Sequence, residues 1–310
     1  MMTVGKGGER MKCKLCPRAC GADREKGELG YCGAAAALRV ARAALHPFEE
    51  PPISGKRGSG TVFFAGCSLR CIYCQNQAIR PAQSGREMTV EELAALFLSL
   101  EGQGAHNINL VTPTHFADRI AAALTAVRDV LRIPVVYNCG GYERVETLRM
   151  LEGLVDIYLP DFKYISPQMA GDYSAAPDYA RYATAALAEM VRQTGAVCFD
   201  GEGMLRRGVM VRHLVLPGGR KDSMAVLSRI AETVAVPEIR LSLMRQYTPD
   251  FAPADAPKSL KRRVTSFEYE SVMARAVEMG FEGFFQGKEA TRASYTPNFD
   301  ERDLLREFLE

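Results

Sequence analysis

From residue 61 onward the apolar positions fall into short, nearly continuous runs separated by stretches with helical spacing. The runs are TVFFAG (61–66), INLVT (108–112), PVVYN (134–138), VDIYLP (155–160), GVMVRHLVLPGG (208–219) and EIRLSLM (238–244). Strands covered on both faces read this way, without polar alternation. Between them, MTVEELAALFLSL predicts a helix: Thr89 and Glu92 make a capping box, and Leu93, Leu96, Phe97 and Leu100 share one face. FADRIAAALTAVRDVL, ERVETLRML, part of DYARYATAALAEMVRQTG, and KDSMAVLSRIAETVA predict four more. Strands alternating with helices imply right-handed crossovers and a parallel α/β sheet, as a doubly wound open sheet or as a partial or full β/α barrel. FEGFFQ (281–286) would add a late edge strand, and AVCF (196–199) a short strand ahead of the fifth.

Two segments stand outside the alternation. The first 60 residues hold several glycines and HPFEEPPISGKRGSG, which reads as an extended or hairpin lead-in. Residues 246–265, QYTPDFAPADAPKSLKRRVT, have no clear period, and a loop of that length in a compact domain suggests a flap at the mouth of a site. The expected division is therefore a cysteine-rich segment and lead-in over 1–60, a core over 61–290, and a tail over 291–310.

Composition narrows the function classes. The 310 residues are 47% hydrophobic and 25% charged, as in an ordinary globular protein, and the net charge is +2. That charge gives no general reason to expect a nucleic-acid or membrane-surface partner. No apolar run approaches the roughly 20 residues of a spanning helix, and MMTVGKGGERMKC lacks the apolar centre of a signal peptide. The expected location is cytoplasmic, where thiols stay reduced.

Nine cysteines in a reducing compartment then need another explanation than disulfides. Cys139 and Cys198 stand alone and read as small hydrophobes. Cys13, Cys16, Cys20 and Cys32 are spaced C-x2-C-x3-C-x11-C near a glycine-rich turn, a pattern for a closed site of zinc or an auxiliary iron–sulfur cluster. Cys67, Cys71 and Cys74 are spaced C-x3-C-x2-C just after the first strand. Structural zinc sites are closed by four ligands, whereas three thiolates on a four-iron cluster leave one iron open. The carboxyl ends of parallel strands are also where α/β proteins place their sites.

The stretch CSLRCIYC resembles the signature of the radical S-adenosylmethionine (radical SAM) enzymes, with Tyr73 at the aromatic place. The chain as a whole resembles their pyruvate formate-lyase-activating-enzyme-like branch. The resemblance implies a partial (β/α)6 barrel with an N-terminal cysteine-rich metal-binding segment. It also implies a 4Fe-4S cluster on Cys67, Cys71 and Cys74, whose open iron chelates SAM. Reductive cleavage then gives a 5′-deoxyadenosyl radical for hydrogen abstraction by an oxidoreductase of activating-enzyme type, with a protein glycine as one target. Its partners would be an electron donor such as a flavodoxin or ferredoxin and a protein, peptide or small-molecule substrate.

Carried over by residue, the resemblance places Tyr73 beside the adenine. NLVTPTH stands where many members have a glycine-glycine-glutamate run, so Thr112, Thr114 and backbone carbonyls would replace it. Asn138 in YNCGG is a polar contact. Asp161 and Lys163 in PDFK match an aspartate-x-lysine of the activating enzymes, with Lys163 on the SAM carboxylate. Arg212 in VRHLVLPGG would serve that carboxylate or the ribose, His213 reads as structural, and Gln246 and Tyr247 are further polar lining. Two readings of other classes compete: a non-catalytic protein with structural zinc at both cysteine groups, and an electron-transfer iron–sulfur protein without SAM chemistry.

Overall fold

The computed structural model describes residues 12–287, so the expected tail over 291–310, the end of the core and the first eleven residues lie outside it. In chain order its elements are β1 (Leu38–His46), α1 (Pro51–Ser54), β2 (Ser59–Phe64), β3 (Arg86–Met88), α2 (Val90–Gly102), β4 (Ile108–Val111) and α3 (Ala117–Val127). They continue with β5 (Val135–Cys139), α4 (Val145–Arg149), β6 (Ile157–Pro160), α5 (Pro167–Ser174), α6 (Tyr179–Thr194) and β7 (Cys198–Phe199). Last come β8 (Leu205–Leu214), α7 (Arg220–Thr233), β9 (Ile239–Met244), α8 (Ser266–Glu278) and β10 (Gly283–Phe285).

Nine strands lie in the order β10-β9-β8-β6-β5-β4-β2-β1-β3, and β7 pairs with β8 off this path. Neighbours from β2 through β10 pair in parallel, so the six expected βα units and the late edge strand form one continuous run. Among the described residues the ends of the run do not meet, which makes the sheet an open, partial barrel. The sheet is nevertheless mixed: β1 joins β2 antiparallel, β3 joins β1, and β7 runs antiparallel to β8. The lead-in thus forms an antiparallel pair, β1 with β2, joined through the segment that holds α1.

Alternation along each strand sorts the side chains. Tyr137, Tyr158, Val209, Val211 and Leu241 point to the face covered by helices, in the large core cluster with Leu96, Ile120, Leu187, Val226 and Val272. Val136, Ile157, Leu159 and Met210 point to the other face, where Ile53 of α1 and Leu205 close the bottom of the partial barrel. Above that plug the same face turns polar at Asn138, Arg212 and Ser242, which leaves room for a site. Thr89 caps α2 in the expected capping box with Glu92. Among the described residues no helix is long and apolar enough to cross a membrane.

Candidate active site

A cavity of about 530 Å³ opens over the carboxyl ends of the parallel strands. Cys67, Cys71, Tyr73 and Cys74 enter it from the loop after β2, and Thr112 and Thr114 from the loop after β4. Asn138, Asp161, Lys163, Arg212, Gln246 and Tyr247 complete the expected set from the ends of β5, β6, β8 and β9. Parallel pairing explains this convergence: strands that run one way bring six distant segments to one rim.

The three thiols differ in surroundings. Burial pushes the Cys71 thiol up and takes Cys74 to about 12. Hydrogen-bond donors reach the sulfurs: Leu69 N–H reaches Cys67 Sγ at 3.4 Å and the Ser174 hydroxyl reaches Cys71 Sγ at 3.0 Å. Tyr73 is 8% exposed, and its ring stands edge-on to Tyr173 and Tyr247. Thr112 is in the left-handed region at φ 59°, a strained place for a β-branched residue, while its N–H donates to Asn138 O at 3.0 Å.

The charged side chains of the cavity are paired, Lys163 with its near neighbour Asp161 and Arg212 with carboxylates the sequence did not point to. Lys163 Nζ donates to Asp161 Oδ2 at 2.5 Å. Burial pushes the Lys163 ammonium down, but the facing Asp161 carboxylate outweighs it and holds the group well above the usual lysine range. Arg212 Nε meets Glu50 Oε1 at 2.8 Å, and its Nη2 meets Glu50 Oε2 at 2.5 Å and also Glu49. Arg212 Nη1 reaches Asn138 Oδ1 at 3.3 Å. Burial pushes Glu50 up, yet the Arg212 charge overrides it and holds the carboxyl below its ordinary value. Arg212 therefore lines the cavity as the centre of a double carboxylate clamp rather than as an open cation.

Glu49, Glu50, Glu143 and Ser174 are the functional candidates that sequence reasoning missed. Glu143 is 1% exposed and lines the cavity, with Thr114 Oγ1 donating to it at 2.6 Å and the Tyr137 hydroxyl at 3.3 Å. The signal for it was present in GGYE, two glycines and a carboxylate at the end of β5. His213 sits apart, fully buried, with Nδ1 donating to Phe162 O at 2.7 Å and Nε2 buried without a hydrogen-bond partner among the described residues.

Cys13, Cys16, Cys20 and Cys32 do not line the cavity. Burial pushes Cys16 up to about 12 and raises Cys32. Among the described residues, no three His, Cys, Asp or Glu side chains converge as a single metal ion requires. A zinc site on the four N-terminal cysteines would need that convergence, so the geometry gives zinc there no support. A four-iron cluster places each thiolate on a different iron, so the requirement does not fall on Cys67, Cys71 and Cys74. Their all-sulfur donor set, shared cavity and donors aimed at sulfur fit such a group.

Residues 61–203 match the family model of the radical SAM superfamily. An uncharacterised protein of Methanocaldococcus jannaschii is 26% identical over 277 residues, which cover 85% of this chain and 74% of that protein. SuiB of Streptococcus suis bound to the precursor peptide SuiA is a structural match with a TM-score of 0.50 at 10% identity, covering 78% of this chain and 52% of that one. SuiB bound to S-adenosylmethionine gives a TM-score of 0.46 at 11% identity, covering 71% and 48%. The chain spans about half the length of these solved structures.

Proposed function

We propose, from the match of residues 61–203 to the family model of the radical SAM superfamily, an enzyme that holds a 4Fe-4S cluster on Cys67, Cys71 and Cys74 and abstracts hydrogen from a peptide. The observation that carries the reading is the convergence of these three thiols, Lys163 and Asn138 on one cavity at the carboxyl rim of the sheet. When bound, the cluster and SAM supply the reductive cleavage that yields a 5′-deoxyadenosyl radical.

The chain's own residues bind, orient and shield. Lys163 has three N–H donors and Asp161 takes one, so the others are available to the SAM carboxylate. Asn138 accepts from Arg212 through Oδ1, which leaves its NH2 group to donate into the cavity. Tyr73, Thr112 and Thr114 bound the space for the nucleoside. Arg212, held by Glu49 and Glu50, fixes the opposite wall. The buried surroundings of Cys71 and Tyr73 exclude water from the reacting centre.

A peptide substrate is favoured by the fold likeness to SuiB, whose complex holds a precursor peptide. By the activating-enzyme resemblance a glycine of that peptide is one target, with an electron donor such as a flavodoxin or ferredoxin.

The test is anaerobic reconstitution followed by dithionite and SAM. About four irons per cavity site and formation of 5′-deoxyadenosine are expected, with Cys71→Ala losing both. A fully loaded cluster that forms no 5′-deoxyadenosine defeats the reading. Transfer of deuterium from a glycine-labelled peptide into 5′-deoxyadenosine tests the substrate separately. Metal that survives a triple substitution of Cys67, Cys71 and Cys74 would belong to the N-terminal cysteines.

A further inference from the structure

The cysteine loop after β2 and the end of α5 are tied together. Ile72 N–H donates to Tyr173 O at 2.9 Å, and Arg18 Nη2 donates to Ser174 O at 2.9 Å. This places the Ser174 hydroxyl 3.0 Å from Cys71 Sγ, with Ser174 1% exposed. Behind it, the Tyr164 hydroxyl lies 3.0 Å from Ser174 Oγ, and Tyr164 is fully buried. Behind that, the hydroxyls of Tyr73 and Tyr164 are hydrogen-bonded to each other. Three hydroxyls thus form a buried file that ends on sulfur.

Proton counting gives the file a direction. A thiolate that ligates iron has no proton and can only accept, so Ser174 must donate to it. Ser174 has one proton and has spent it, so it accepts from Tyr164. Tyr164 in turn has spent its own and accepts from Tyr73. Every dipole then points the same way, toward Cys71, and each bond polarises the next.

We propose that Ser174, Tyr164 and Tyr73 form a one-way hydroxyl chain that raises the reduction potential of the cluster held by Cys71. This rests on the proposed ligand role of Cys71. A reduced cluster carries one more negative charge than the oxidised one, and donors to its sulfurs stabilise that extra charge. In a buried, weakly screened place the effect is larger than in water. Backbone N–H groups cannot be deleted by a side-chain change, but the donor to Cys71 is a side chain and can be. The three residues tune and position; none of them is assigned contact with the reacting atoms through this role.

The test is a redox titration of the anaerobically reconstituted full chain without SAM, followed by electron paramagnetic resonance of the reduced cluster. Ser174→Ala should make the cluster harder to reduce, by about tenfold in the ratio of reduced to oxidised protein at fixed potential, about 59 mV for one electron. Tyr164→Phe should shift it in the same direction by less, and Tyr73→Phe by least. Ser174→Thr, which restores the hydroxyl, should return the midpoint toward wild type. Equal midpoints in Ser174→Ala and wild type overturn the proposal, as does a Ser174→Thr midpoint no higher than that of Ser174→Ala. If Ser174→Ala holds no cluster, Tyr164→Phe decides: a lowered midpoint supports the chain and an unchanged one overturns it. Iron content separates this from the underlying reading, because a Cys71→Ala protein that keeps its full cluster signal refutes the ligand assignment itself.

Discussion

Glu143 is a carboxylic acid held where a carboxylate is poorly tolerated. Burial pushes it up, and the hydrogen bonds from Thr114 and Tyr137 only partly offset this, leaving it at about 7 against an ordinary 4.5. The folded state keeps the proton where the unfolded chain has already released it. Stability from this group is therefore fully present below pH 4.5 and is lost as pH rises to about 7. The loss is on the order of 3 kcal/mol. Glu143→Gln, which cannot ionise, should flatten the stability curve over that range and be more stable than wild type at pH 8. Denaturant titrations of both proteins across the range check this, and parallel curves for the two would count against a buried neutral Glu143. The mutual pairing of Arg212 with Glu49 and Glu50 belongs to the same scale. A buried cation matched by two carboxylates costs little only while all three are present, so Arg212 is a wall of the cavity before it is anything else.

The loop from β5 to α4 shows how closely the rim elements approach. Gly141 has φ +76°, and a Cβ there would stand 2.0 Å from Asp161 O, the backbone that follows β6. Gly140 has ordinary φ, and a Cβ there would meet the Leu69 side chain at 2.7 Å. Backbone cannot give way but a leucine end can, so the two neighbours should respond differently. Gly141→Ala should cost about 3 kcal/mol or more through strain and overlap, and Gly140→Ala about 1. Thermal unfolding of both variants decides it; a Gly140→Ala loss equal to that of Gly141→Ala would show that the rim is not built as described. The six parallel strands were legible because each apolar run is local and complete. β1 was not, because a bulge between Val40 and Arg42 breaks its alternation and small residues fill its middle. α8 follows a proline-rich stretch whose turns, Pro249–Phe251 and Lys258–Lys261, are fixed by contacts such as Tyr247 hydroxyl to Leu260 O at 2.5 Å. The cysteine loop, Asn138, Asp161 and Lys163 were legible from motif and strand end. Glu49, Glu50 and Ser174 were not, since their partners lie 162 or 163 and 103 residues away and leave no local pattern.

At the scale of the molecule, the N-terminal segment is bound to the sheet assembly by a few long-range cation contacts. Arg18 donates to Ser68 O at 2.9 Å, to Ser174 O at 2.9 Å and to Ala175 O, bridging the cysteine loop and the end of α5. Its guanidinium also stacks 4.1 Å from the centre of the Tyr31 ring and 5.2 Å from that of Tyr142. Arg24 adds donors to His115 O and Ala35 O, and Cys67 N–H reaches Cys32 O at 3.3 Å. The four N-terminal cysteines are thus held beside the parallel sheet and its cysteine loop by side chains other than their own thiols. Arg18→Ala should remove about 2–3 kcal/mol of local stability. Arg18→Lys should recover little, because an ammonium cannot span three carbonyls and two rings with one planar fork. Hydrogen exchange read by mass spectrometry should rise over residues 13–33 and at Ser174, while β4, β5 and β6 keep their protection. Uniformly faster exchange across the sheet would mean that the segment is integral to the global fold and not a separately docked module.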